Sequence, residues 1–404
     1  MEPEIRSAQK EEMVEFIRVA TAALVLPHKL TPELASSIAP EITLCAFDGG
    51  KLATTSAALP LTMRFNGDSV PVSGITLVGT LPIYRKKGFL RRILTRHFEL
   101  LYHQKRQPIT ALYASQAAIY QRFGYGIVSS RNTYKVVPQH LRFATGQDLP
   151  ENASFKELGD DGNDVLRFIY RQFVADRIGY LHRAGKIWDI GALSKPKKGA
   201  LLNRILYLEN DTPLGYVIYT IEPQNVAFGQ PWQRIDIRDI AWLTADAYQA
   251  IWNFFADMGV VTEINWAHVP SDDPLPHLLL EPRQLNIRSN DGLLARIVDL
   301  EAAISKRVYD YSAEIAFEVI DDICPWNNSR WAANITPGGT GIGKTKTLPE
   351  IIVPIDTLAM LLFGQISATQ AGRMGRLGVI DYKALPKYDR LFATRYRPFC
   401  ADIF

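Results

Sequence analysis

The residues from Ile75 to Leu94, "ITLVGTLPIYRKKGFLRRIL", have the types and order of an anion-binding site. A strand is predicted to end near Thr80, and a basic loop then leads to Gly88 at the start of a helix. The first N–H groups of a helix have no intrahelical partner, and the helix dipole adds positive character there. The charges around this helix start are Arg85, Lys86, Lys87, Arg91 and Arg92. The pattern predicts a pyrophosphate cradle, with a solvated basic helix start as the alternative.

A second segment, "ALYASQAAIYQRFGYG", follows the predicted helix. It reads as a strand that ends near Ser115, followed by a short helix over Gln116–Phe123 that carries Tyr120. By itself this pattern is also that of a packed aromatic residue.

A third segment, "GGTGIGKT" from Gly338 to Thr345, fits the phosphate-binding pattern G-x-x-x-x-G-K-[ST]. That pattern functions only when a helix follows it. Here Pro349 would break such a helix, and Pro354 within an apolar β-branched run favours a strand. Only 59 residues follow Thr345 in a chain of 404. We therefore interpret the segment as a glycine-rich hairpin loop and not as a nucleotide site.

The elements around the first two segments predict a mixed α/β unit. A helix of apolar period 3.6 is expected over Glu11–Leu24, and two strands over Ile42–Phe65 with a turn at Asp48-Gly49-Gly50. A strand over Val72–Thr80 and an amphipathic helix through Phe89–Leu101 come next. The remaining predicted elements are a strand at Ile109–Ser115, the short helix above and a closing strand in "SSRNTYKVV".

The rest of the chain predicts two further units. A linker rich in Gly, Asp and Asn runs from Ala144 to Asp164. The second unit is expected to contain a helix at Asp164–Arg177, a hairpin in "RILYLENDTPLGYVIYTIE" and a helix at Ala245–Met258. The last hundred or so residues read as strand, loop and strand, then strand and helix.

Composition excludes several classes of protein. The hydrophobic fraction of 47% is typical of a globular protein, and a net charge of +3 gives no field that favours nucleic acid or an anionic membrane. The N-terminal residues lack the apolar core of a secretory signal, and no run is long enough to span a membrane. Three distant cysteines form neither a disulfide framework nor a metal site, and none of the seven histidines has metal-ligand spacing. We expect Cys45 in the core, no metal and a cytoplasmic location.

The first two segments together resemble the GNAT acetyltransferases. That family has an R/Q-x-x-G-x-G/A loop for acetyl-CoA pyrophosphate, matched here by Arg85-x-x-Gly88-x-Leu90 with leucine in the final position. The same departure occurs in the Eis-like multi-domain branch. "DPLPHLL", "NDGLLARIVDL" and the terminal aromatic residue are similar to landmarks of that branch. The resemblance implies an α/β (α+β) chain with a GNAT domain at 1–145, a degenerate GNAT domain at 155–288 and a sterol-carrier-protein-like domain at 292–404.

The resemblance also implies the role of individual residues. Tyr120 would be the general acid, and the α-carboxylate of Phe404 the general base. The residues that would contact acetyl-CoA are Val78, Gly79, Thr80, Arg85, Lys86, Lys87, Gly88, Phe89, Leu90, Arg91, Ser115 and Gln116. Asp291 and Asp402 are candidate ligands for an amine.

The acceptor is less well defined, because the residue before the terminal aromatic is Ile403 where aminoglycoside-acetylating relatives have an acid. The resemblance implies a small primary amine (aminoglycoside-like, polyamine or lysine) and a homo-hexamer. No nucleic acid or membrane partner is expected. The alternative from a different class is a non-catalytic protein that holds a lipid or apolar ligand in the sterol-carrier-like domain. Acetylation of protein lysines is a third possibility.

Overall fold

The computed structural model describes residues 2–24, 38–144, 150–225, 227 and 231–404, so part of the predicted linker lies outside the described residues. The chain divides into two compact units. The first contains Met1–Val128, Leu293–Ala393 and Phe404, and the second contains Ser129–Gly292 and Thr394–Ile403. Strands and helices are numbered in chain order.

The N-terminal part of the first unit is a mixed sheet covered by helices. Its strands are β1 (Glu4–Arg6), β2 (Cys45–Asp48), β3 (Lys51–Phe65), β4 (Asp68–Thr80), β5 (Ile109–Leu112), β6 (Gly126–Ile127) and β15 (Leu294–Ile297). Their order is β1-β2-β3-β4-β5-β15-β6; β4 and β5 are parallel, and the other neighbours are antiparallel. The helices are α1 (Met13–Leu24), α2 (Phe89–Gln104) and α3 (Ala117–Gln121).

Local sequence accounts for these elements. Gly49 and Gly50 turn between β2 and β3, and Asn66 and Gly67 between β3 and β4, with φ between +57° and +104°. Tight hairpin turns need positive φ, which glycine and asparagine adopt at low cost. α2 buries one apolar face, formed by Phe89, Ile93, Leu94, Phe98 and Leu101, as its helical period predicts.

The C-terminal part of the first unit has its own sheet. The strands are β16 (Ala313–Ile320), β17 (Ser329–Thr336), β18 (Gly339–Lys344), β19 (Ile351–Pro354) and β20 (Gly378–Val379). Their order is β18-β17-β16-β19-β20. The helices are α8 (Leu300–Lys306), α9 (Ile355–Leu362), α10 (Ala368–Arg373) and α11 (Leu385–Phe392).

The segment Gly338–Thr345 is an edge strand of this second sheet. β18 pairs antiparallel with β17, from Gly339 opposite Thr336 to Lys344 opposite Trp331. The next regular element is β19, so no helix follows the segment. The strand predicted after the segment is confirmed, where a phosphate-binding loop would need a helix. One detail differs, because most of the segment forms the second strand of the hairpin and not its loop.

The described residues of the second unit form a seven-stranded sheet and four α-helices. The strands of this sheet are β7 (Ser130–Val136), β8 (Ala153–Glu157), β10 (Leu201–Glu209), β11 (Thr212–Pro223), β12 (Gln233–Trp242), β13 (Val261–Pro270) and β14 (Arg288–Asp291). A further strand of the unit, β9 (Ile178–Leu181), is not part of the sheet. The order of the sheet is β14-β7-β13-β12-β11-β10-β8, with β12 and β13 parallel. The helices are α4 (Asn163–Phe173), α5 (Gly185–Ile190), α6 (Ala245–Ala256) and α7 (Leu275–Leu278).

One strand does not close the first unit as its position in the sequence suggests. "SSRNTYKVV" does form a strand, β7, but it pairs with β13 and β14 in the second unit. In the first sheet, β15 lies between β5 and β6 instead. All four residues of β15 are buried, which suits a strand with neighbours on both sides. Strand periodicity identifies a strand but not its partner, and this explains the error.

The structure also tests the expectation that Cys45 lies in the core, and it shows the state of the other cysteines and the length of the helices. Cys45 is fully buried, and burial raises the pKa of its thiol to about 11, so it is a core residue as predicted. Cys324 and Cys400 are also buried and unbridged. No helix within the described ranges is long and apolar enough to cross a membrane.

Candidate active site

A cavity of about 610 Å³ lies in the first unit, where the end of β4 meets the starts of α2 and α3. It combines the two segments that sequence analysis singled out. The lining residues are Ala23, Leu24, Val78, Gly79, Thr80, Tyr84, Arg85, Lys86, Gly88, Phe89, Leu90, Arg91, Ser115, Gln116, Ile119, Tyr120, Arg122 and Phe123. Of the twelve predicted cofactor residues, only Lys87 is absent from this lining.

The cavity opens where two parallel strands separate. β4 and β5 pair only from Val72–Gly74 with Ile109–Ala111, after which β4 continues to Thr80. A register shift between β3 and β4 lies in this continuation, and Leu77 has φ of +52° there. Thr55 donates to the Leu77 carbonyl at 2.9 Å and holds the distorted strand. The edge of β4 from Val78 to Thr80 therefore faces the cavity with room for an extended group beside it.

The loop between β4 and α2 is shaped by two left-handed residues. Lys86 has φ of +63°, and Gly88, the N-cap of α2, has φ of +80°. A Cβ at Gly88 would meet nothing within 4 Å, so glycine is favoured there for its backbone angle and not for space. Alternating left-handed and right-handed residues direct successive N–H groups to one side and form an anion-binding concavity. The loop thus carries the backbone geometry of an anion site.

Positive charge surrounds this concavity. Arg85, Lys86 and Arg91 line the cavity with exposed side chains. Arg122, which sequence analysis did not select, joins them from the end of α3. The guanidinium of Arg91 lies 5.5 Å from the centre of the Phe123 ring, and that of Arg122 lies 5.7 Å from it. The cavity is thus lined by four cations: three of the five that the sequence places around the helix start, and Arg122.

Lys87 is not among the residues that line the cavity. Its ammonium lies 3.6 Å from the Asp48 carboxylate and 5.1 Å from the centre of the Tyr84 ring. Its contact with the cosubstrate stays a prediction. Tyr84, which supports Lys87, is a lining residue that the basic pattern did not reveal.

Tyr120 is the buried polar side chain of the cavity wall. It is 7% exposed, and its ring packs edge-on against Tyr125 with centres 5.9 Å apart. Burial raises the pKa of Tyr120 to about 12, so the hydroxyl is protonated at neutral pH. The position suits a proton donor that keeps its proton until an anion forms beside it.

A buried ion pair fixes the turn after Tyr120. Arg296 on β15 donates to the Phe123 carbonyl at 2.8 Å and forms a bidentate pair with Asp321 at 2.8 and 2.9 Å. A Cβ on Gly124 would lie 1.9 Å from this guanidinium, and Gly124 has φ of +79°. Gly124, the first glycine of "RFGYG", is therefore required for two reasons: a side chain would collide with the guanidinium, and its backbone angle disfavours other residues. Sequence analysis missed Arg296 because its partners lie far away along the chain.

Phe404 contacts the point where β4 and β5 separate. Its ring lies edge-on to Tyr113, with centres 5.8 Å apart. A Cβ on Gly74 would lie 2.9 Å from the ring, so only glycine leaves space for Phe404 at this point of β4. Gly74 is also the last residue of β4 that pairs with β5.

The two predicted acidic ligands belong to the second unit. Asp402 is 7% exposed, and both of its oxygens accept hydrogen bonds from Nε of Arg183 at 2.9 and 3.1 Å. Arg183 also pairs with Asp239. Asp402 is thus part of a buried ion-pair network, which corrects its selection as a substrate ligand. Asp291 is exposed at the end of β14 and stays a prediction.

Family comparisons agree with this architecture. Residues 4–128 and 179–297 each match a family model described as an acetyltransferase (GNAT) domain, and residues 300–401 match a sterol carrier protein domain. Within the described residues, no group of three or more His, Cys, Asp or Glu side chains is placed to hold a metal.

Whole-chain comparisons extend the similarity. An uncharacterized N-acetyltransferase of Streptomyces avermitilis is 28% identical over 87% of both chains. N-acetyltransferase Eis of Mycobacterium tuberculosis is 26% identical over 86% of this chain and 84% of its own. The crystal structure of Eis1 from Mycobacterium abscessus superposes with a TM-score of 0.81 at 27% identity, over 99% of this chain and 100% of Eis1. A GCN5-related N-acetyltransferase from Anabaena variabilis shares the fold, with a TM-score of 0.87 at 24% identity over 100% of both chains.

The chain is therefore a GNAT N-acetyltransferase with two acetyltransferase domains and a sterol carrier protein domain, and the predicted fold class is confirmed. Within that class it belongs to the Eis-like acetyltransferases. Because the family consists of enzymes, we set aside the alternative of a non-catalytic protein that holds a lipid or apolar ligand.

Proposed function

We propose that the first-unit cavity binds acetyl-CoA and that the chain transfers the acetyl group to a primary amine. The observation that carries this proposal is the union, in one cavity, of a left-handed cationic loop, an open strand edge and the buried Tyr120. Each part matches one part of the cosubstrate or of the reaction.

The cosubstrate has two parts that these features can recognise. The N–H groups at the start of α2 and the cations Arg85, Lys86 and Arg91 suit its diphosphate. The pantetheine arm carries amides that can pair with the free edge of Val78–Thr80, as an added strand would. Ser115 and Gln116 line the path between this edge and Tyr120.

The reaction requires two proton transfers and no covalent enzyme intermediate. The amine nitrogen attacks the thioester carbonyl carbon, so a C–N bond forms and the C–S bond breaks. Tyr120 gives its proton to the sulfur of CoA, while the proton lost by the attacking amine passes to the α-carboxylate of Phe404. Alignment of the two reactants in the cavity supplies much of the rate enhancement.

The raised pKa of Tyr120 is compatible with this role. A thiol has an ordinary pKa of about 8.5, well below the value of about 12 for Tyr120. In bulk water the proton transfer would therefore be uphill. The same low-polarity surroundings destabilise a thiolate, however, so both pKa values rise together in the cavity.

The role of the Phe404 carboxylate as general base has less chemical support than the role of Tyr120 as general acid. An α-carboxylate has an ordinary pKa of about 3.3–3.7 and is a weak base for an ammonium group. Its negative charge would hold the amine beside the acetyl group, and a water molecule would relay the proton. The contact of its ring with Gly74 and Tyr113 supports this role, because it keeps Phe404 beside the fork between β4 and β5.

The acceptor is a small amine of the aminoglycoside, polyamine or lysine type, with Asp291 as a candidate ligand. The names of the mycobacterial relatives support an Eis-type reaction. We further propose a cytoplasmic homo-hexamer, for which the family resemblance is the support.

The test is thiol release from acetyl-CoA with a panel of aminoglycosides, polyamines and lysine peptides. The native chain would be compared with one that has a few residues appended after Phe404. We expect turnover with the native end and loss of turnover, with acetyl-CoA binding retained, in the extended chain. Equal turnover in both would remove Phe404 from the mechanism, and absence of acetyl-CoA binding would overturn the whole proposal.

A further inference from the structure

The second unit contains a separate cavity of about 600 Å³. It lies where β12 ends and α6 begins, with walls from the end of α4, the residues after β13 and the C-terminal segment. The apolar wall consists of Phe173, Trp242, Tyr248, Pro270, Leu278 and Tyr396. The four aromatic rings of this wall offer flat apolar surfaces against which the apolar part of a ligand can pack.

The loop beside this cavity cannot hold a diphosphate. Only Leu243 and Thr244 separate β12 from α6. The Thr244 side chain accepts from the Ala247 N–H at 3.1 Å, so it occupies one of the free helix-start donors, and Asp246 adds negative charge in the first turn. Among the described residues that line this cavity, Arg177 is the only cation. A nucleotide is therefore excluded as its ligand.

Arg177 is a buried cation held by aromatic rings. It is 7% exposed, and its guanidinium lies 3.9 Å from the centre of the Phe173 ring and 4.0 Å from that of Tyr396. Its Nε donates to the Phe173 carbonyl at 3.0 Å. In the described chain, no hydrogen-bond acceptor is recorded for its two terminal nitrogens. A guanidinium oriented in this way presents a fork that matches a carboxylate.

Asp273 is a buried acid with one unused oxygen. Its Oδ1 accepts from the Tyr248 hydroxyl at 2.7 Å, the Tyr134 hydroxyl at 3.1 Å and the Leu275 N–H at 3.2 Å. Its Oδ2 is buried and has no hydrogen-bond partner among the described residues. Burial raises the pKa of Asp273 to about 7. With three donors on Oδ1, the proton of the neutral acid belongs on Oδ2.

We propose that this cavity binds a small organic carboxylate with a flat apolar body, held by Arg177 at the carboxylate and by the aromatic wall along the body. The Arg177 charge disfavours a cationic ligand in the same space. The terminal nitrogens of Arg177 can donate to a ligand carboxylate, while its Nε keeps the bond to the Phe173 carbonyl. The site is independent of acetyl-CoA binding in the first unit.

Three probes that share one ring test the proposal: benzoate, benzyl alcohol and benzylamine. Each is titrated against the full chain with saturating CoA to about 10 mM, since ligands of this size bind in the millimolar range. We expect benzoate to bind most tightly. Arg177→Met should weaken benzoate at least about tenfold through loss of a charge-assisted pair. Arg171→Met, the same change at an exposed position on α4, is the matched control and should bind as the native chain does.

Asp273→Asn removes the titratable carboxyl group of the cavity wall and keeps its shape, because the amide oxygen can still accept hydrogen bonds in the Oδ1 position. We expect its benzoate affinity to stay within about threefold of native. Thermal unfolding of each variant confirms that it is folded. The proposal is overturned if benzoate fails to bind, if Arg177→Met leaves its affinity unchanged, or if benzylamine binds best and loses affinity in Asp273→Asn.

Discussion

The two cavities occupy the same topological position in their units and differ in what surrounds them. In each unit a strand leads through a loop to a helix and then to a parallel strand: β4, α2 and β5 in the first, and β12, α6 and β13 in the second. Pairing of the parallel strands ends at Gly74 in β4 and at Ile237 in β12. Both units therefore have a fork between parallel strands next to a helix start.

The forks differ in their contents. In the first unit the fork leads into the open cavity with its cationic loop. In the second unit the space beside β12 and β13 is reduced to about 10 Å³ and is lined by Phe399 and Ala401 of the C-terminal segment. The chain itself thus fills the position at which the first unit can hold an extended cosubstrate arm.

The loops explain the rest of the difference. The first unit has a long loop, Leu81–Gly88, with left-handed residues and cations, whereas the second has Leu243 and Thr244 alone. The second unit thus has a cavity of similar volume, about 600 Å³ against about 610 Å³, without the loop that suits a diphosphate in the first unit. Fold and pocket size alone would not distinguish the two sites, but loop length and charge do.

The largest expected effect tests whether only the first cavity performs chemistry. Tyr120→Phe removes the proposed donor and keeps the ring, so kcat should fall about 100- to 10,000-fold. Tyr219→Phe removes a hydroxyl from a buried tyrosine of the second unit and should leave kcat near native. Single-turnover kinetics with acetyl-CoA would measure both. A Tyr120→Phe enzyme with native kcat would remove Tyr120 from the mechanism.

The second prediction tests the buried acid of the second cavity through pH. The pKa of Asp273 is about 7 in the folded chain and about 3.9 when unfolded, so the folded state holds a proton that the unfolded chain releases. The stability from protonated Asp273 is complete below about pH 4 and is lost as pH rises to about 7. Tyr134, Tyr248 and the neighbouring Asp272 are the groups that face or influence it.

Asp273→Asn cannot lose this proton and gives the reference. Between pH 5 and pH 8, the free energy of unfolding of the native chain should fall by about 2–3 kcal/mol relative to the variant. Urea unfolding of both proteins at several pH values would measure the difference. Parallel curves would mean that Asp273 is ionised throughout this range.

The third prediction tests the charge difference between the loops. Replacement of Arg85 and Arg91 by Met removes two cations beside the proposed diphosphate, and KM for acetyl-CoA should rise about 10- to 100-fold. Acetyl-pantetheine lacks the nucleotide diphosphate, so its KM should not change. Replacement of Arg171 and Arg283, two exposed cations of the second unit, by Met is the charge-matched control. Equal increases for both thioesters would show that the loop acts through shape and not through charge.

Sequence reasoning succeeded where the signal is local. The basic loop, Gly88 and Tyr120 lie within two short segments, and helical and strand periods are properties of neighbouring residues. It failed where partners are distant along the chain. Asp402 looks like a free acid in the sequence, but its partner Arg183 is 219 positions away. Arg296 contacts Phe123 across 173 positions. The exchange of β7 and β15 has the same cause, since strand pairing is decided by tertiary packing.

The smallest expected effect concerns the contact at the fork of the first unit. An alanine Cβ at Gly74 would lie 2.5 Å from Leu61 and 2.9 Å from the Phe404 ring, so the ring must move. Overpacking of this kind costs about 1–3 kcal/mol. If Phe404 positions the base, Gly74→Ala should lower kcat about tenfold with an unchanged KM for acetyl-CoA, because a displacement of about 1 Å is enough for such a loss.

Gly215→Ala in β11, where the new Cβ would lie 3.2 Å from Ala247, is the matched change in the second unit and should affect stability alone. A Gly74→Ala chain that is destabilised but keeps its native kcat would separate the Phe404 ring from catalysis, and the role of the C-terminus would then rest on the extension experiment.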